Sequence, residues 1–171
     1  MKKTKVFTIL MLFVLALTAC TTPQPAKPTT TIYGMQFEVE ETWAFEENEG
    51  GTLIYFNETD EGCLLVSMPF ASDADNVDVE NVGNMLKAIA LFSGADIPEV
   101  SVVEISIGGK SAFYSEATLA NGDIVHSQVL YCLCDDGTAI YAWMYMAPPN
   151  EYEANIEKVK AILYSIVFIE E

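Results

Sequence analysis

The chain has 171 residues, 51% of them hydrophobic, with eight lysines, no arginine and 25 acidic residues, for a formal net charge of −17. So negative a balance argues against nucleic acid, whose binding depends on cationic neutralisation of phosphates, and against a basic patch for anionic lipid headgroups. Without arginine there is no bidentate clamp for phosphate or carboxylate either.

In chain order, the first feature is a leader. Lys2, Lys3 and Lys5 precede an apolar run from Val6 to Ala16, too short to span a bilayer, which takes about 20 residues. Leu17-Thr18-Ala19-Cys20 follows. A charged start, a short apolar core and small residues before a cut site define an export signal. The four-residue box resembles the lipobox of bacterial lipoproteins. That resemblance implies a signal peptide over 1–19, lipid attachment at Cys20, and a mature protein held at the cell membrane, facing outside the cytoplasm. Acyl chains add about 0.8 kcal/mol per buried methylene, so two or three of them anchor a protein without a transmembrane helix. Loss of the leader removes three of the eight lysines and takes the side-chain balance to −20.

Residues 20–31, with Pro23, Pro25 and Pro28 and no large apolar side chain, read as a lipidated cysteine and an extended tether. Residues 32–171 have the size of one domain. Turn signals at Gly50-Gly51, Asp60-Glu61-Gly62, Gly108-Gly109, Asn121-Gly122 and Asp136-Gly137 divide apolar runs. Strands are predicted over 35–46, 52–57, 62–69, 101–107, 110–120, 124–134 and 138–147, the last four as an antiparallel meander.

Two helices interrupt the strands. Val79, Val82, Met85, Leu86 and Ile89 recur at helical spacing, with Asp75, Asp78 and Glu80 at the dipole-favoured start and Gly94 as a C-terminal cap. Tyr152, Ile156, Val159, Leu163 and Ile166 form a second apolar stripe, with Asn150 and Glu153 spaced as a capping box. Strand 138–147 is apolar on both faces and is therefore predicted to be central and covered on both sides. The fold class is α+β: an antiparallel meander with two main helices packed on it.

Three cysteines remain beyond Cys20. Cys132 and Cys134 share one strand face, with Cα atoms about 6.6 Å apart. In an exported protein a disulfide from Cys63 to Cys132 or Cys134 is one reading, a thiophilic metal held by all three is another, and buried free thiols are the third. His126 is the sole histidine and lies about 20 Å along the strand from Cys132, too far for a shared coordination sphere. A Ser–His or Cys–His dyad would need that histidine, and no Gly-x-Ser-x-Gly elbow accompanies it. Asp73, Asp75 and Asp78 lack the glycine and glutamate of a calcium loop, with Asp78 and Asn84 at those positions. Gly108-Gly109-Lys110-Ser111 lacks the first glycine and the following helix of a phosphate loop. No catalytic residue, resident metal or cofactor is therefore assigned. Tyr141, Trp143 and Tyr145 form an aromatic stripe that belongs in the core if covered and suits a sugar ring or an apolar partner if exposed.

Gly34-Met35-Gln36-Phe37-Glu38-Val39 leading to Trp43, the hairpin Gly108-Gly109-Lys110-Ser111-Ala112, and the ending Tyr152…Ile156…Ile162-Leu163-Tyr164-Ser165-Ile166 together resemble the PsbP-like α/β/α sandwich family. Thr42 stands where that family usually has a proline. The resemblance implies a sandwich fold and a non-enzymatic accessory or assembly role. The functional expectation is a membrane-anchored envelope lipoprotein that binds an envelope or extracellular protein. The alternative is a small-ligand or metal-binding module using the Cys63/Cys132/Cys134 set or the aromatic strand.

Overall fold

The computed structural model describes residues 27–57, 59–71, 78–95, 100–121 and 124–169. The leader, Cys20, most of the tether and Asp73 and Asp75 lie outside them.

The first described strands are β1 (Thr29–Ile32) and β2 (Met35–Glu38), joined at Tyr33-Gly34. Both turn residues have positive φ, +50° and +76°, the geometry whose twist suits a two-residue hairpin. The predicted tether is thus too long at its C-terminal end, because Thr29 to Thr31 pair with Glu38 to Gln36. Three β-branched threonines favour a strand once β2 offers a partner. Met35 and Phe37 are buried while Gln36 and Glu38 are exposed. The predicted strand 35–46 breaks after Glu38: the Trp43 amide bonds to the Glu40 carbonyl at 3.1 Å, and the chain resumes as β3 (Ala44–Asn48).

β3 is followed by β4 (Gly51–Tyr55), β5 (Cys63–Ser67) and the two-residue β6 (Phe70–Ala71). After helix α1 (Val79–Ser93) come β7 (Val102–Ile107), β8 (Lys110–Asn121), β9 (Ile124–Asp135) and β10 (Ala139–Ala147). Helix α2 (Pro149–Ser165) and β11 (Val167–Phe168) close the described chain. The large antiparallel sheet runs β3-β4-β5-β10-β9-β8-β7, with β6 also on β10. A small sheet runs β1-β2-β11. The meander is as predicted, and β10 is central, as its two apolar faces required.

Each face of β10 feeds a separate core. One holds Trp143 and Tyr145 with Phe37, Phe56, Leu64, Leu130, Val159 and Leu163, beneath α2 and the small sheet. The other holds Ala142 with Val82, Leu86, Val129 and Leu133, beneath α1. The layers are therefore α/β/α.

α1 begins and ends as its sequence indicates. The Asp78 carboxylate accepts from the Asn81 amide at 2.9 Å, and Gly94 closes the helix in the left-handed region with φ +66°. The start of α2 differs from the predicted capping box. Pro148 is the N-cap and makes no side-chain cap bond, so the helix opens on proline's preset φ instead of on Asn150. Glu151 in its first turn accepts from the backbone amides of Glu61 and Gly62, at 3.0 Å each, and so ties the helix to the β4–β5 turn. At its far end the Ser165 hydroxyl donates to the Ile162 carbonyl and accepts from the Glu38 amide. That bridge gives the Ser165-Ile166 pair a structural reason: one hydroxyl joins the helix end to β2 just before the chain returns as β11.

Candidate functional site

The register across β5, β10 and β9 decides the cysteine question. Cys63 lies opposite Met146, whereas Cys132 lies opposite Trp143 and Cys134 opposite Tyr141. Residues directly opposite in an antiparallel pair point to the same face, and neighbours along a strand alternate. Cys63 therefore shares the α1 face with Met144 and Met146, while Cys132 and Cys134 point into the α2-side core. A disulfide from Cys63 to Cys132 or Cys134, and a three-thiol metal site, would have to cross the sheet. Both expectations are corrected on that ground, and all three thiols are free. Among the described residues no cluster of three or more His, Cys, Asp or Glu side chains is arranged to hold a metal ion. Burial raises the thiol pKa at all three positions, to about 12 at Cys134, which holds the sulfurs in their weakly nucleophilic protonated form.

Trp143 and Tyr145 are fully buried and Tyr141 is 8% exposed. Tyr141 stacks on Trp143 at 6.3 Å between centroids, and Tyr145 on Tyr152 at 5.4 Å. The stripe is thus core, and the reading of it as an exposed ligand platform is corrected: α2 and the small sheet cover Trp143 and Tyr145, and only Tyr141, at the end of the stripe, keeps an edge on a cleft. The His126 side chain lies outside the described residues. The β8–β9 register shifts beside it, with Leu119 opposite Ser127 and Ala120 opposite Val125, so parity counted from Cys132 does not carry through to His126.

The structure instead shows a surface that the sequence did not single out. α1 packs over β7, β8 and β9, and no described element covers β3 to β5 on that face. Between helix and uncovered strands runs a groove of about 340 Å³, lined by Leu65, Phe70, Met85, Ile89, Tyr131 and Met144 among others. Its lining is almost entirely apolar. The Ser67 hydroxyl, which also borders it, is buried with no hydrogen-bond partner among the described residues. Met85, Ile89 and Phe92 follow at spacings of four and three and so occupy one helix face. Phe92 is 90% exposed and Leu91 78%. Phe70 is half-exposed on the opposite bank. One row of the sheet here runs Glu46, Leu53, Leu65 and Met144, so a carboxylate marks its outer end. The sequence signal for this surface was present: α1 carries more apolar positions than one buried stripe needs.

The α2-side interface is polar where it leaves the core. The Tyr152 hydroxyl donates to Glu116 at 2.8 Å and Lys160 pairs with the same carboxylate at 2.9 Å. Burial first, and then this carboxylate, push the Tyr152 phenol well above its ordinary pKa. These contacts dock the helix.

No protein-family model matches the chain, and no curated protein matches it in sequence. Solved structures do match in fold. The solution structure of cyanobacterial PsbP from Synechocystis sp. PCC 6803 superposes with a TM-score of 0.63 at 12% identity, over 88% of this chain and 97% of that one. LpqN, described as involved in cell envelope biogenesis of Mycobacterium tuberculosis, superposes at 0.52 with 13% identity, over 87% and 88%. A Bacteroides thetaiotaomicron protein gives 0.54 at 14% identity, and this chain spans 46% of its length. The fold is PsbP-like, as the sequence resemblance implied. No described helix is long and apolar enough to cross a membrane.

Proposed function

We propose that this protein is a lipid-anchored, non-enzymatic accessory domain of the cell envelope that binds a protein partner through the groove between α1 and β5. The observation that carries the reading is the groove itself: a contiguous apolar channel lined by Phe70, Met85 and Ile89, on a helix that also leaves Phe92 90% exposed one turn further on. Exposed apolar surface concentrated in one rimmed patch marks interaction sites, whereas scattered single residues do not. Support for the setting comes from the leader with its Leu17-Thr18-Ala19-Cys20 box and from a fold shared with a protein described as serving envelope biogenesis.

The partner's chemistry follows from the surface. Its contact segment is apolar enough to displace water from the groove. The segment is flanked by lysine or arginine, because Glu46 marks one end of the row and the mature chain carries a balance of −20. Opposite charge at the rim speeds encounter and fixes orientation more than it adds affinity.

The test is photo-crosslinking in cells from a probe at position 92, beside one at Tyr164, a 59% exposed position on the opposite helix. The expected result is adducts from 92 and not from 164, on a partner peptide that is apolar with basic flanks. Adduct formation is lost with Phe70→Asp and reduced when Cys20→Ala removes the anchor. Equal labelling from both positions, or none from 92, refutes the reading.

A further inference from the structure

On the face opposite the groove, three turns converge at one end of the molecule. They are Tyr33-Gly34, the β7–β8 turn at Gly108-Gly109 and the β9–β10 turn at Asp136-Gly137-Thr138. With Tyr141 and Phe168 they enclose a cleft of about 580 Å³, inside the size range of small-molecule sites. We propose that this cleft binds the ring of a neutral saccharide.

The walls are aromatic. Tyr33 stands at a left-handed turn position, φ +50°, where a bulky side chain is uncommon. Its ring nevertheless packs against the core, and its hydroxyl oxygen accepts from Thr52 at 3.3 Å. Phe168 is half-buried, with its centroid 5.0 Å from that of Tyr141. Gly108 helps seat it: a Cβ there would lie 2.7 Å from the Phe168 ring, so the absent side chain lets the ring lie against the turn. The partly exposed rings of Tyr33 and Phe168 give the cleft apolar surface against which the C–H groups of a sugar can pack.

Elimination by charge narrows the ligand further. Asp136 is in the cleft, but its carboxylate is already occupied. Oδ1 accepts from the Thr138 amide, the Thr138 hydroxyl and the Ala139 amide at 2.7 to 2.8 Å, and Oδ2 accepts from Tyr141 at 3.2 Å. Burial alone would raise this carboxyl, and those hydrogen bonds carry it below the usual carboxylate range instead. A cation meets a carboxylate whose acceptor positions are largely taken by internal donors, with the Lys110 ammonium beside it. An anion meets a permanently charged Asp136 and a chain of strongly negative balance, against one lysine. Lys110 gives one N–H to the Asp136 carbonyl at 3.3 Å, which leaves two donors for hydroxyl oxygens. Ring faces, spare donors and no net charge to neutralise describe a neutral hydroxylated ring. The inference does not depend on the apolar groove.

The experiment is an amide chemical-shift titration of the Cys20→Ala protein with cellobiose and with di-N-acetylchitobiose, each to about 10 mM. Shifts confined to residues around 33–34, 108–110, 136–138 and 168 are expected with at least one of them, unchanged by added salt. Phe168→Leu, which keeps apolar volume and removes the ring, should weaken binding about threefold to tenfold, and Lys110→Met should also weaken it. Retention on washed insoluble cell-wall glycan, displaced by the free disaccharide, would mark a polymer as the source; titration without retention would mark a free sugar. No shift at these amides with either disaccharide, shifts elsewhere only, or a titration indifferent to Phe168→Leu overturns the proposal.

Discussion

Leu86→Ala set against Phe92→Ala tests the placement of α1 on which the groove depends. Both residues are apolar and lie six positions apart on one helix, yet Leu86 is 0% exposed and Phe92 90%. Leu86→Ala removes three buried carbons, about 2.4 kcal/mol of transfer free energy at 0.8 kcal/mol per methylene. The incompletely closed cavity brings the cost to about 3 kcal/mol. For a domain of this size that lowers Tm by about 10 °C. Phe92→Ala removes a larger side chain that touches mostly water, so its effect stays within about 0.5 kcal/mol, with alanine's better helix propensity offsetting any lost contact. Urea titration followed by far-UV circular dichroism measures both, with unchanged m-values confirming that the denatured state is not the cause. If Phe92→Ala cost more than Leu86→Ala, α1 would be rotated on the sheet, and the groove with its exposed Phe92 would not exist.

Other outcomes follow from the same structure. Gly51→Ala should destabilise by more than about 2 kcal/mol in urea titration, since its Cβ would fall on the Val66 carbonyl oxygen, and backbone in a paired strand cannot move aside. In the Cys20→Ala protein, a thiol reagent should titrate Cys63 first, and Cys132 and Cys134 only on unfolding, because both are fully buried; three equally fast thiols would contradict the register. Stability should fall as pH rises past about 9 to 10, the ordinary ionisation range of thiols and phenols. Burial raises Tyr131 and Tyr145 to about 12 and Cys134 to about 12, so between those limits the folded state keeps protons that the unfolded state releases. The stabilisation is complete below the unfolded values and lost as pH climbs through the folded ones. Urea midpoints at pH 8 and pH 10.5 measure it, and equal midpoints would refute it.

Legibility from sequence followed the range of the interaction involved. Asp78 and Gly94 bracket α1 through bonds to residues three or four away, and Gly108-Gly109 and Asp136-Gly137 close hairpins between adjacent strands. Such contacts are written in neighbouring residues, so the meander, both helices and the two-sided burial of β10 were readable. The tether boundary was not, because Thr29-Thr30-Thr31 carries no apolar periodicity and becomes a strand only against β2. The capping box at Asn150 matched the residue pattern, but Pro148 already caps the helix two positions before it.

The sequence by itself determined the acidity and the α+β pattern, and it carried the expectation of an export leader ending at the Leu17-Thr18-Ala19-Cys20 box. Tertiary structure decided which surfaces those elements share. Cys63 and Cys132 fall on opposite faces because β5 pairs with β10 in one register, and strand parity has no meaning between strands until that register exists. Tyr141, Trp143 and Tyr145 became core because α2 and a small sheet return over them. Among the described residues the groove beside α1 stays open because one helix of fifteen residues covers only part of a seven-strand-wide face. Coverage is a relation between distant segments, set by packing geometry, and a one-dimensional pattern does not contain it.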